Sequence, residues 1–482
     1  MSRKELDSLG EIEVPDNVLY GAFTTRALRN FRISGIKANP DFIKSLAIIK
    51  KACAKANIKL DMLNETIGDV IIQAADEIIK GKYRDQFILD VFQAGAGTPF
   101  NMNMNEVIAN IAILKLGGEP GEYSKVHPNN HVNMAQSSND VIPTTIRLSV
   151  LYSLLPLKKE LEELITVFKS KAKEYDHVIK VGRTHLEDAV PIRFSQVLNG
   201  YAASLEKCLE RIRTCEKGML ELSIGGTAIG TGINTHPNFK NRVISELNNL
   251  TGFEFHAGNS IMLSWSMTSF VEVSNALRML AIELNKISND LRLLNSGPRT
   301  GISEIVLPEV EPGSSIMPGK INPSIAEAVN MACFQVAGND HAVAMAAEAG
   351  QLELNVMTPL IAFDLLWSIG LLTNTMKMFR EDCISGMIVD EKRCNELIEN
   401  SHALATVLNP YIGYDKVAQL VKTALLENKS LKQVLIEKDI IPQEYLDEIL
   451  DAMKMTEPRI VDKKIINEIM SYGKKKTGLK SS

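Results

Sequence analysis

Aromatic residues are scarce in this 482-residue chain, at 6%, and cysteine numbers only six. Cys53, Cys208, Cys215, Cys333, Cys383 and Cys394 make no C-x-x-C pair, and no Cys/His cluster has zinc-ligand spacing. That excludes a disulfide scaffold and a zinc ribbon, and it fits small core residues kept in a reducing compartment. No glycine-rich stretch carries the full dinucleotide fingerprint or the Gly-Lys-Ser/Thr of a phosphate loop. No apolar run reaches 18 residues, and Met1-Ser-Arg-Lys-Glu-Leu-Asp is charged where a signal peptide would be apolar. Neither a membrane span nor export is expected, and the expected location is the cytoplasm. Net charge is -5, so no general positive field would draw nucleic acid. The one basic run, Lys474-Lys475-Lys476 with Lys480, reads as a solvated tail. Strand-like alternation is sparse, and there is no internal repeat.

What is present is apolar and helical. Hydrophobic residues make up 45% of the chain, enough for a large core. Phe42, Leu46, Ile49, Cys53 and Ala56 recur at three- and four-residue spacing; so do Leu161, Leu164, Ile165 and Phe168, then Tyr201, Leu205, Cys208, Leu209, Ile212 and Cys215. Ser264 to Leu294 contains no Gly or Pro, and one straight helix there would reach about 45 Å. Such helices suggest a rod-like bundle whose faces pack against further subunits. The expected fold is mainly α, in three domains: a mixed N-terminal domain over 1–140, a central long-helix bundle over 141–393, and a small helical C-terminal domain over 394–482.

Five polar stretches interrupt this helical sequence. The densest in breakers is Glu309–Pro323, with Pro312, Gly313, Pro318, Gly319 and Pro323. It must be a loop, and it carries Ser314, Ser315, Lys320 and Asn322. By composition alone a polar connector is the commoner outcome, and a lid over a small anion the rarer one. The others are Gly95–Asn105, Gln136–Asp140, Gly182–Asp188 and Gly225–Asn234. Each is rich in hydroxyls, amides or Gly, groups that donate directed hydrogen bonds to carboxylates. Each also has a plainer reading. Gln136–Asp140 is a good helix cap, though a helix N-terminus also receives anions. Gly225–Gly232 suits close backbone packing in a turn. A lone His185 is more often structural, but it offers a donor tunable near pH 7. Glu327 is a favoured first-turn residue, and it could also fix a histidine tautomer.

Together these stretches resemble the aspartase/fumarase superfamily. The resemblance rests on G-S-S-I-M-P-G-K-I-N-P at 313–323, with G-A-G-T and N-M-N at 95–103, Q-S-S-N-D at 136–140, G-R-T-H at 182–185 and G-T-A-I-G-T-G at 226–232. It extends over nearly the whole chain. It implies a homotetramer whose central helices share one bundle, with each active site built from three subunits. It implies reversible anti elimination to fumarate, with Ser314 as general base on a flexible loop. Lys320, Asn322 and Thr184 would bind one carboxylate of a small dicarboxylate substrate. Thr98, Ser137, Ser138 and Ser315 would bind the other, and Asn139, Thr98 and His185 would hold the leaving group, with Glu327 in support. No cofactor is required. Some members respond to divalent cations, but no ligand cluster here supports a metal site.

The leaving group is the finer question. Ala96, H-V-N-M at 131–134 and A-A-E-A-G-Q-L-E-L-N-V-M at 346–357 resemble the ammonia-lyases of this family. Ser138, the run at 225–237 and I-G-Y-D at 412–415 lean towards the hydratases. Pro99-Phe100 fits neither pattern, and Glu187 stands where both groups usually carry Gln. Elimination of ammonia from L-aspartate is the favoured expectation, and malate to fumarate and water the alternative.

Overall fold

The apolar stripe Phe42, Leu46, Ile49, Cys53 and Ala56 is the buried face of a helix over Pro40–Lys59. Asn39 caps it by accepting from the Asp41 N–H at 2.8 Å, and Pro40 takes a first-turn position where its missing N–H costs nothing. Helix Glu65–Ile79 is capped likewise by Asn64. The computed structural model describes residues 2–477. Gly478, Lys480 and the terminal serines of the expected tail lie outside the described residues. Residues 474–476 belong to a helix over Lys463–Thr477 rather than to a frayed end.

The long segments are helices as expected: Ser138–Glu174, Phe194–Met219, Thr268–Leu294, Ser324–Glu348 and Thr358–Phe379. Three boundaries differ from the sequence reading. The expected thirty-residue rod begins only at Thr268, because Ser266 is extended and separates it from a short helix over Ser260–Trp265. Thr98–Asn105, expected to be irregular, already belongs to helix Thr98–Lys115. Its amides look like loop residues in one dimension, yet they are buried and paired: Asn101 with Ser138 and Asn133, Asn103 with the Gln86 carbonyl. Gly182–Asp188 lies in a β-hairpin, Ile179–Thr184 against Glu187–Arg193, and not between helices.

The chain forms two units. One holds Met1–Leu161, Lys207–Ile282 and Met331–Thr375; the other holds Glu162–Glu206, Glu283–Asn330 and Met376–Ser482. The first contains the helices around Leu46, Ile49, Met104, Ile108 and Ile146, all buried. The second contains the hairpin, and a C-terminal cluster in which Leu408, Leu420, Leu431, Val434, Leu435 and Ile449 form the core. All six cysteines are buried, and none forms a disulfide among the described residues.

Among the described residues one helical stretch, Thr358–Ile384, is long and apolar enough to cross a membrane, at mean hydropathy 1.2. Of its most apolar window 61% is buried inside the structure. A helix apolar all round is what a buried bundle position requires.

Asp90 ties the loop ahead of helix Pro40–Lys59 to the segment leading to Gly95. Its carboxylate accepts from the Ile33, Ser34, Gly35 and Phe92 N–H groups and the Ser34 hydroxyl, at 2.6–3.2 Å. Burial pushes this carboxyl up, and the donors more than reverse that, holding it at about 2. A carboxyl held below its unfolded value stabilises the fold above pH ~4 and loses that contribution as pH falls towards ~2. Asp90→Asn is therefore expected to lower stability by about 2 kcal/mol at pH 7. The gap from wild type should narrow in urea melts taken at successively lower pH. A gap that stays constant down to pH 3 would show that ionisation of Asp90 does not matter.

Candidate active site

In the first unit three loops carry candidate groups, and two of them converge on Asp140. Its carboxylate accepts from the Ser137 N–H at 3.0 Å, the Gly225 N–H at 3.0 Å and the Thr227 N–H at 2.8 Å. Asn139 adds a bond from Nδ2 to the Ala228 carbonyl at 2.7 Å. The Gln136–Asp140 and Gly225–Asn234 stretches are thus one assembly. Gly230 has φ +95, and a Cβ there would stand 2.6 Å from the Ile261 backbone, so only glycine fits this approach.

The third loop carries Thr98, the first residue of its helix, with Gly97 in the left-handed region at φ 67. Ala96 before it has φ 58, a conformation that is uncommon without glycine, and its N–H bonds the Val356 carbonyl at 2.8 Å. Pro99 occupies a first-turn position with no N–H to lose, and Phe100 is buried against the Phe42 ring at 5.2 Å. Both departures from the family pattern are packing features of the helix start.

Behind the Ser138 hydroxyl lies a buried polar relay. Asn101 Nδ2 donates to Ser138 Oγ and to Asn133 Oδ1, both at 3.1 Å. Lys50 Nζ donates to Asn133 Oδ1 at 3.0 Å and Gln136 Oε1 at 2.9 Å. Burial pulls the Lys50 ammonium down to about 7, and pushes the Asp140 carboxyl up to about 6 against its three backbone donors. Ser138 Oγ accepts from Asn101, and Ser137 Oγ accepts from the Asn139 N–H at 3.2 Å. Each serine has a lone pair occupied and keeps its own O–H to donate. Asn139, with its amide N–H engaged, keeps Oδ1 as an acceptor.

The second unit holds the remaining candidates. Thr184 ends one strand of the hairpin, and His185 and Leu186 form its two-residue turn at φ 56 and 64. All three are exposed. Glu304, fully buried, anchors the strand by taking Arg183 at 2.9 Å and Lys180 at 3.1 Å. Glu309–Pro323 is a loop, but the element before it is the short strand Ile305–Val306 and not a long helix. Asn322 Nδ2 bonds the Gly313 carbonyl and so closes the loop's base. A Cβ on Gly313 would stand 2.2 Å from the Lys320 carbonyl, so this closure also requires glycine. Lys320 Nζ donates to Asn322 Oδ1 at 2.7 Å, and Ser315 and Lys320 are exposed.

Ser314 differs from the other serines. Its Oγ accepts two backbone donors, Met317 N–H at 3.0 Å and Ile316 N–H at 3.3 Å. Hydrogen bonds aimed at an oxygen favour its charged form over its neutral one. Glu327 lies in the first turn of helix Ser324–Glu348. Among the described residues no hydrogen bond joins it to His185. No three His, Cys, Asp or Glu side chains among the described residues are grouped to hold a metal ion.

Sequence reasoning missed the supports: Asp140, Lys50, Asn101, Asn133 and Glu304. Asp140 reads as part of a helix cap, and Lys50 as a charged position beside an apolar stripe. Nothing local marks either as buried.

Known proteins resemble this chain along nearly its whole length. A family profile described as "Lyase" matches residues 10–338, and one described as "Fumarase C C-terminus" matches residues 404–457. An aspartate ammonia-lyase from Pseudomonas canavaninivorans is 47% identical, over 95% of this chain and 98% of its own length. A class II fumarate hydratase from Nitrosomonas europaea is 44% identical, over 94% of this chain and 99% of its own. A cobalt-bound crystal structure of a fumarate lyase:delta crystallin from Brucella melitensis superposes with TM-score 0.92 at 46% identity, covering 95% of this chain and 100% of that one.

Proposed function

The chain belongs to the lyase family that includes aspartate ammonia-lyases and class II fumarate hydratases, and we propose that it is an aspartate ammonia-lyase, a carbon–nitrogen lyase that converts L-aspartate reversibly to fumarate and ammonia. The observation that carries the elimination chemistry is the pair of backbone donors on Ser314 Oγ. A serine is a poor base in water, and two N–H groups aimed at its oxygen favour the alkoxide.

Ser314 takes the proton from Cβ, and the electron pair of that C–H bond passes into the neighbouring carboxylate as an aci-carboxylate. The Ser137 and Ser138 hydroxyls, with Thr98 and Ser315, donate to the oxygens where this charge grows; one well-placed donor is worth about 3 kcal/mol. Lys320, Asn322 and Thr184 hold the other carboxylate. The pair then forms the C=C bond, and the Cα–N pair leaves with nitrogen as ammonia. Asn139 Oδ1 and His185 receive that group. That acceptor takes an ammonium N–H or a hydroxyl O–H alike, and what supports aspartate over malate is identity to ammonia-lyases reaching 47%. The alternative is hydration chemistry on malate, favoured by Ser138 and by the hydratase relative.

The candidate groups are divided between loops of two units. The long helices also expose Ile282, Met331, Phe334 and Met345, apolar surface suited to contacts between copies. We infer a homotetramer in which copies exchange loops, with His185 and Glu327 meeting there, and a cytoplasmic enzyme with no cofactor of its own.

Fumarate absorbance should grow when the protein is given L-aspartate and stay flat with L-malate. Growth from malate alone would replace this reading with the hydratase.

A further inference from the structure

The hairpin tip holds a charge that the catalytic scheme leaves unused. Glu187 stands directly opposite Thr184 in the antiparallel register, on either side of the His185-Leu186 turn. Residues directly opposite project from the same sheet face, with Cβ atoms about 5 Å apart. Thr184 and Glu187 therefore share one face, and both are exposed. Among the described residues the Glu187 carboxylate makes no hydrogen bond or ion pair, although it sits in a segment with Arg183 and Asp188. Arg183 is committed to buried Glu304, and so is Lys180. The strand is pinned from below, which fixes where the tip presents its side chains.

The rest of the candidate site is built to receive a dianion, with hydroxyls, amides and Lys320. A carboxylate beside Thr184 opposes that and lowers affinity for any substrate carrying only negative charge. It favours one that brings a positive group next to its carboxylate.

We propose that Glu187 is a specificity-determining residue that recognises the ammonium group of the substrate and selects an α-amino dicarboxylate over a dicarboxylate bearing hydroxyl or hydrogen at that carbon. The proposal rests on the ammonia-lyase reading above. The ammonium keeps its charge while the Cβ proton is removed, so Glu187 stabilises bound substrate and the transition state of that step alike. Its contribution falls on KM and not on kcat.

Glu187→Gln keeps size and hydrogen bonding and removes only the charge. With this variant, KM for L-aspartate should rise about five- to tenfold while kcat stays within about twofold. Succinate, a dicarboxylate with hydrogen in place of the amine, should inhibit the variant more strongly than the wild type, by a similar factor, because the repulsion is gone. Glu187→Asp should restore part of the aspartate KM. A merely structural role would weaken aspartate and succinate together, and that outcome would overturn the proposal, as would an unchanged KM. Wild-type turnover of aspartate is measured first. If it is absent, the ammonia-lyase reading fails; if it is present and Glu187→Gln leaves both constants unmoved, only the role of Glu187 fails.

Discussion

Ser314→Ala is expected to reduce kcat by about 10²- to 10⁴-fold, the usual contribution of a positioned general base. The Oγ is the atom that accepts the Ile316 and Met317 N–H groups. Ile316 and Met317 are exposed, so water replaces the lost acceptor and the loop keeps its fold. The change in stability should stay within about 0.5 kcal/mol, as for most exposed substitutions. Closure of the loop base through Asn322 and the Gly313 carbonyl does not involve the hydroxyl and should persist. The measurement is a pair of experiments on one preparation: turnover of L-aspartate, and melting with oligomer mass. A large loss of turnover with unchanged melting and mass supports the assignment. Near-native turnover would remove Ser314 from the role of base and leave Lys320 or His185 to be tested in its place.

Asp140→Ala should produce the largest loss of stability of any change considered, about 3–5 kcal/mol. The carboxylate is the common acceptor for Ser137, Gly225 and Thr227 N–H groups at the junction of two loops, the last two buried and the first half-buried. Alanine leaves three donors without an acceptor, each costing about 1–3 kcal/mol if no water enters, and the three do not add fully. It also strips the buried Lys50 ammonium of the charge that opposes its desolvation. The two loops carry Ser137, Ser138 and Asn139, so activity should fall with stability. Asp140→Asn retains volume and one acceptor and should fall between. Urea unfolding gives the first quantity and aspartate turnover the second. An alanine variant that melts with the wild type would mean that these donors find other partners and that Asp140 does not clamp the loops.

Much of this site was legible in one dimension because its chemistry needs particular residue types in flexible backbone. Glu309–Pro323 had to be a loop on its Pro and Gly content, and it is one. The hydroxyl, amide and glycine stretches that interrupt the helices are the ones that carry the candidate side chains. What misled was polarity taken as exposure. Asn101 and Asn103 look like loop residues, yet they sit in a helix because Ser138, Asn133 and the Gln86 carbonyl satisfy them. Pro99 looked like a breaker and is a helix start. The Gly182–Asp188 hairpin was invisible to periodicity because its strands are short and its turn is His185-Leu186, without the glycine or asparagine that usually marks such turns.

The sequence by itself determined the helical architecture, the loop of Ser314 and the class of chemistry, since helical periodicity, chain breakers and motif order are local properties of the chain. Only the tertiary structure decided which groups each candidate serine oxygen accepts from. That depends on which N–H groups reach Ser314, Ser137 and Ser138. It also decided that Asp140 and Glu304 are buried anchors and that Glu187 faces the same way as Thr184. Burial and strand register arise from contacts between distant segments, and no window of sequence contains them.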